Sequence, residues 1–323
     1  MNIGQSLTRV LRYVRRGLSN RAVPVGELEA ARARGDLKIE EEFFAGLRLR
    51  NGVYKTTTAH RFDTTFPLLI DSLSKLSKPM VHVLDVACSS GISTLELHTA
   101  LLASGISCVT VGTDTLLSAK LVRCSDGSAL LFDGASQVLQ AEVGNWAVSW
   151  VWPPQKRYFL FAPIRLAHAW WLMNRRVEEF RAALRDPVST MEVSDVSLLS
   201  RAVGDAGEVH FREEDLLDPP RAPETFDLIR AANILNLNYF GPVQLRLMLE
   251  KLAERLRVGG FLFVVRELDN INRGGLYRRE GRGLRLVDAI NGGTEIAQLV
   301  EAVEIADLAA ERAGREGTAN AKV

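Results

Sequence analysis

VLDVACSSGIST, residues 83–94, is the stretch on which the fold turns. It closes MVHVLDV, a continuous apolar run that reads as a buried strand ending at Asp85, and opens ISTLELHTALLAS, whose spacing is helical. Between them the chain must bend within ACSSG. Small side chains at Ala87, Ser89 and Gly91 let the backbone come close to a ligand, and a helix N-terminus offers free N–H groups and a favourable dipole to an anion. Taken alone, the turn fits a plain strand–helix joint, or a nucleotide site of another kind, equally well.

Working outward, the rhythm is strand, helix, strand. SCVTVGT reads as a second buried strand ending at Asp114, and apolar strands alternating with helices point to a parallel sheet covered on both faces. The rhythm breaks from about 121 to 206. LVRCSDGSALLFD reads as a hairpin turning at Asp126-Gly127. A tryptophan-rich stretch, NWAVSWVWPP, follows, then a long helical pattern from Tyr158 to about Leu184 and a short helix in VSDVSLLSRAV. Strands resume with EVHFREED, leading to Asp215, and with TFDLIRAAN. PVQLRLMLEKLAERLRVGG reads as a helix with a glycine stop, FLFVVREL as a strand, and GGLYRREGRGLRLVDAI as an antiparallel pair across Glu280–Gly283. A final helix is expected near Thr294 and a disordered tail from Gly314. Upstream, helical patterns cover 3–18, 25–34 and 62–76.

The 83–94 turn resembles motif I of class I S-adenosylmethionine-dependent methyltransferases, an acidic residue followed by alternating glycines. Ala87 and Ser89 replace two of the three glycines, and Gly91 keeps the last. The resemblance implies that Asp85 and the backbone from Ala87 to Gly91 hold the methionine portion of the cofactor. Asp114 stands where an acid accepts hydrogen bonds from ribose hydroxyls. Asp215, with Leu216 after it, stands where the family's adenine-binding acid lies, and Asn233 occupies the motif IV position. Any one acid at a strand end is an ordinary turn or cap residue. The ordered set along one sheet edge carries more, because open α/β sheets bind ligands there.

FDLIRAANILNLNYF and KTTTAHRFDTTFP are similar to phrases of the chemotaxis-receptor methyltransferases. There Arg61 would match an arginine that reaches the cofactor, or else be an exposed helix-start residue. The resemblance implies an α/β fold with a Rossmann-like seven-stranded, mostly parallel sheet. Its core would span 55–120 and 206–308, with an N-terminal helical cap at 1–54, an inserted hairpin and helical lid at 121–205, and a flexible tail at 309–323.

Methyl transfer from a sulfonium is an in-line displacement, so alignment and exclusion of water supply much of the catalysis. A base is needed only where the acceptor arrives protonated. His60, Tyr239 and Glu267 are the candidates for catalytic roles, with Arg266 beside them; His210, inside an expected strand, should pack. Trp146, Trp150, Trp152, Trp170 and Trp171 crowd the insertion, which reads as a small core of its own, an apolar lid for a lipophilic acceptor, or an interfacial helix.

Composition bounds the partners. A net charge of +1 gives no global case for nucleic acid. Three cysteines with no metal-like spacing suit a reducing cytoplasm, and no metal is expected. The arginines among the apolar residues of 3–18 sit in water on a docked helix, or else face an anionic membrane peripherally. The resulting expectation is a cytoplasmic methyltransferase using S-adenosyl-L-methionine on an oxygen or nitrogen of a small acceptor, lipophilic ones included. Its rivals are a non-catalytic cofactor-binding regulator on the same fold, a protein carboxylate methyltransferase, and a nicotinamide-dependent oxidoreductase, although the turn lacks the glycine spacing a pyrophosphate needs.

Overall fold

The computed structural model describes residues 22–305 apart from 48, 50–54, 56–57, 144–145, 150–166, 168–170, 187–188, 205–207 and 218–223. The expected helix at 3–18, the tail from Gly314 and most of the tryptophan-rich stretch lie outside the described residues. Two compact units divide the rest. One takes residues up to Ala59, Ser89–Ser93 and those from Leu116 to Ala206; the other takes His60–Cys88, Thr94–Thr115 and those from Gly207 onward.

In the second of these, β1 (Val81–Val86) lies between β2 (Cys108–Asp114) and β9 (Phe226–Ala232), parallel to both. Beyond them, β8 (Val209–Glu213) pairs with β2 and β10 (Leu256–Leu268) with β9, again in parallel. Antiparallel β11 (Ile271–Glu280) and β12 (Gly283–Ile290) complete the order β12-β11-β10-β9-β1-β2-β8. The sheet is therefore seven-stranded and mostly parallel, in an α/β arrangement. Its central strands are largely apolar and mostly buried, as strands of a parallel sheet covered by helices are. Leu69 and Leu73 of α3 (Phe66–Ser74) and Leu97 and Leu101 of α4 (Ile92–Ala103) pack in one core with Val83, Leu228 and Phe263.

Two local expectations change here. The helix beginning at Pro242, α7 (Pro242–Glu254), stops before the glycines, and β10 starts at Leu256. Gly259, at φ 82°, sits where the β9–β10 register shifts between Leu256 and Phe261, so it makes a bulge instead of a helix stop. His210, expected to pack, is exposed on β8, the last strand of the sheet.

The first unit is built on a sheet that the sequence reading missed. Strands β3 (Ser118–Arg123), β4 (Ser128–Phe132), β5 (Val138–Val143), β6 (Trp146–Ser149) and β7 (Glu192–Ser197) run antiparallel in the order β6-β5-β4-β3-β7. The hairpin at Asp126-Gly127 forms as expected, with Gly127 at φ 83° and Asp126 accepting from the Ser128 N–H at 2.9 Å. VSDVSLLSRAV, expected to be helical, begins instead as β7, and only Arg201–Gly204 (α6) is helical. β7 pairs with β3 from Ser118↔Ser197 to Arg123↔Glu192, so the first and last strands of this sheet segment are neighbours.

Helices α1 (Val25–Arg34) and α2 (Leu37–Gly46) belong to this same unit: Leu28, Phe43 and Phe44 share a core with Leu121, Leu131 and Val196. Two buried carboxylates stitch them in. Glu142 of β5 accepts from the Val25 N–H at 2.8 Å and from Gln140, and burial raises its pKa. Glu40 accepts from Arg32 at 2.7 Å and from the Ser200 hydroxyl at 2.6 Å. On the sheet, α5 (Val177–Arg185) buries Phe180 among Val122, Leu130 and Phe132, with the Arg176 guanidinium 5.3 Å from the Phe180 ring centre. Trp171 is exposed, and among the described residues no aromatic cluster forms in this unit beyond the Phe43–Phe44 pair.

Close packing leaves one glycine without alternative. A Cβ on Gly112 of β2 would stand 2.6 Å from the Phe211 ring on β8. Gly112→Ala is expected to destabilise the protein by the roughly 1–3 kcal/mol of a forced overpacking, read as a lowered denaturation midpoint. An unchanged midpoint would mean that the ring swings aside freely.

Candidate functional site

Strand order reverses at β1: β2 and β8 continue the sheet on one side, β9 and β10 on the other. Such a reversal leaves a crevice outside the carboxyl ends of the two central strands, the place where open α/β sheets bind ligands. Every sequence-derived candidate except Tyr239 and the residues near His60 falls on this edge or on the turns leaving it.

The turn after β1 has the most informative backbone. Ala87, Ser89 and Gly91 take φ values of 56°, 58° and 81°, left-handed at every second position. Glycine adopts that conformation freely, whereas other L-residues do so at roughly 1–2 kcal/mol each. The turn thus keeps an alternating-glycine conformation with alanine and serine in two of its places. The Ser89 hydroxyl donates to the Lys55 carbonyl at 2.8 Å, and Ser90 is fully buried.

Asp85 lies just inside the end of β1. β1 runs one residue past it, and its carboxylate is buried. Arg230, directly across on β9, donates to it twice, at 2.7 and 2.6 Å, and the Thr94 hydroxyl at the start of α4 donates as well. Asp85 therefore orients the turn from behind and presents no exposed oxygen to a ligand. Arg230 itself is fully buried, 5.8 Å from the centre of the Phe62 ring. The sequence reading passed over it, although an arginine inside the apolar FDLIRAAN run demands a buried acid nearby.

At the other strand ends, Asp114 is buried at the close of β2. Asp215 is exposed and accepts from the Leu217 N–H at 2.9 Å, a local turn, with Leu216 half-buried beside it. Asn233, at φ 62°, donates its N–H to Val265 and accepts from the Glu267 N–H through its side chain, both at 2.8 Å. It ties the ends of β9 and β10 together. Glu267 forms an ion pair with Arg61, so two residues expected to serve separately, one at the cofactor and one in catalysis, meet each other. Arg266 pairs with Glu295 at 2.8 Å. Tyr239 is exposed in the turn after Asn233, edge-on to Phe240.

His60 is exposed, at φ 62°, and its ring stands 2.9 Å from Asp63. Its pKa is raised, first by that hydrogen bond and then by the charge of Glu96. Glu96 of α4 accepts from the His60 N–H at 2.7 Å; burial raises its pKa, and that hydrogen bond opposes the rise. Away from this edge, His98 is buried against Thr110 and Cys108 and reads as a packed core histidine.

No protein-family model matches the sequence, and a comparison with curated proteins found no match. Solved structures with some likeness include the N-methyltransferase NodS from Bradyrhizobium japonicum WM9 in complex with S-adenosyl-l-homocysteine. It is 14% identical with a TM-score of 0.28, over 64% of this chain and 62% of that one. An O-methyltransferase family protein from Burkholderia thailandensis is 14% identical with a TM-score of 0.29, over 73% and 44%. The [4+2]-cyclase SpnF is 15% identical with a TM-score of 0.27, over 62% and 44%. The chain matches less than two thirds of the length of each, and at TM-scores this low the likenesses carry nothing by themselves.

The buried pair behind the turn has a measurable signature. Asp85→Asn strands a guanidinium in the core and is expected to cost about 3–5 kcal/mol of stability. The double replacement Asp85→Leu/Arg230→Leu should destabilise by clearly less than the sum of the two single changes, because each single change leaves the other charge alone. Strict additivity in urea denaturation would show that the two are not coupled.

Proposed function

We propose that the chain binds S-adenosyl-L-methionine at the carboxyl edge of the seven-stranded sheet and transfers its methyl group to an oxygen or nitrogen of a small acceptor. The observation that carries this reading is the left-handed backbone at positions 87, 89 and 91, immediately after the strand where the sheet order reverses. Non-glycine residues persist in that conformation only where the surroundings impose it, and such sites cluster at ligand clamps. A backbone so shaped fits the amino-acid end of the cofactor.

When bound, the cofactor supplies an electrophilic methyl on a sulfonium. The protein's own residues then have positioning roles. Asp114, at the end of β2, is suited to accept from the ribose hydroxyls, with Asp215 and Leu216 on the adenine side. Arg61, held by Glu267, is suited to meet an anionic group of cofactor or acceptor, with Glu267 released as Arg61 changes partner. In an in-line displacement such alignment is most of what is required, and a base enters only for a protonated acceptor.

A second reading, a regulator that binds the cofactor without turnover, is favoured by one feature. Polar side chains at the ends of β9 and β10 are already engaged, Glu267 with Arg61 and Asn233 with the backbone N–H of Glu267.

One experiment addresses both. Calorimetric titration of the full chain with S-adenosylmethionine and S-adenosylhomocysteine is expected to show saturable binding. Ala87→Val should weaken it by about tenfold or more, since a β-branched residue at φ 56° is a strong outlier. Absence of binding to the wild-type chain defeats the proposal, and binding without methyl release across small oxygen and nitrogen acceptors favours the regulator.

A further inference from the structure

Three potential metal ligands converge where the segment entering α3 passes the second turn of α4. His60 Nδ1 lies 2.9 Å from Asp63 Oδ2 and 3.8 Å from Glu96 Oε1, and the three ligand atoms all lie within 4.8 Å of one another. Glu96 is anchored by the His60 backbone N–H at 2.7 Å, so the side chain from α4 is held against the turn that carries the other two. Its second oxygen, Oε2, is buried and has no hydrogen-bond partner among the described residues. Arg61, the adjacent cation in sequence, is turned to Glu267.

We propose that His60, Asp63 and Glu96 form a binding site for a divalent cation of the first transition series, such as Mn2+ or Zn2+. Protein nitrogen and carboxylate ligands bind such ions at about 2.0–2.2 Å, so donors some 3–4 Å apart can share one ion. One imidazole with two carboxylates suits these borderline cations better than Ca2+, which takes six to eight oxygens. The ion would neutralise two acids set side by side, with Glu96 Oε1 as the ligand atom nearest His60. His60 is 78% exposed, which leaves an entry path, and a three-ligand set leaves coordination positions open to water or to an oxygen of a bound molecule. The site is independent of methyl transfer and of the turn after β1. No short sequence motif announces the site, since 36 positions separate His60 from Glu96.

The test uses the full chain, stripped with chelator and titrated with MnCl2 and separately with ZnCl2, followed by calorimetry and by the paramagnetic resonance of Mn2+. A single saturable site is expected, with a metal-dependent rise in unfolding temperature. Asp63→Asn and Glu96→Gln, which alter different elements and keep side-chain volume, should each weaken binding by about tenfold or more and abolish that rise, a loss that even second-shell changes can produce. The proposal is overturned if the wild type shows no saturable binding, or if both variants, folded by circular dichroism, bind Mn2+ as tightly as the wild type. The first result would leave the cluster an ion pair between the His60 ring and its two acids.

Discussion

A carboxylate and a guanidinium stand side by side in the driest part of the seven-stranded sheet. Asp85 and Arg230 occupy matching positions on β1 and β9, and both are withdrawn from water. Neither is tolerable there alone, since an isolated buried charge costs far more than a hydrogen bond returns. Together they fix the register of the two central strands: a slip of one residue would carry each charge into an apolar face. Thr94 adds a third point of attachment, binding the start of α4 to the same carboxylate.

This arrangement accounts for the odd chemistry of the turn between. Residues 87–91 leave from beside Asp85 and arrive beside Thr94, so the segment is clamped at both ends by one carboxylate. A backbone held in that way can be kept left-handed without glycine, because the strain is balanced by the pair behind it. Asp85 thus serves as the support of the turn.

Much of the seven-stranded sheet was legible because its signals are local. Continuous apolar runs, small-residue turns and strand-end acids mark β1, β2, β9 and β10 without any knowledge of neighbours. What escaped was relational. Arg230 carries meaning only once β9 is laid beside β1, and the Arg61–Glu267 pair joins residues 206 positions apart. VSDVSLLSRAV lacks the alternation of a half-buried strand because β7 is an edge strand with mostly exposed side chains, Val196 excepted. The same difficulty hid the five-stranded sheet: β5 and β6 lie beside tryptophans that suggested a helical lid. Nothing in the sequence of the expected cap, residues 1–54, announces that Glu142 will receive the first N–H of α1.

The pairing of β3 with β7 has a consequence for how the chain reaches its native state. Between β2 and β8, which must lie parallel and adjacent, the polypeptide makes an excursion of roughly ninety residues, a long loop to close. Because the outgoing and returning strands zip together from Ser118↔Ser197, the excursion brings its own ends within a strand spacing. The effective loop that β8 must close shrinks to roughly a dozen residues, lowering the closure entropy by about 2 kcal/mol. Once Ser118–Arg123 and Glu192–Ser197 have paired, the last parallel strand can add to the sheet almost as if its connection were short.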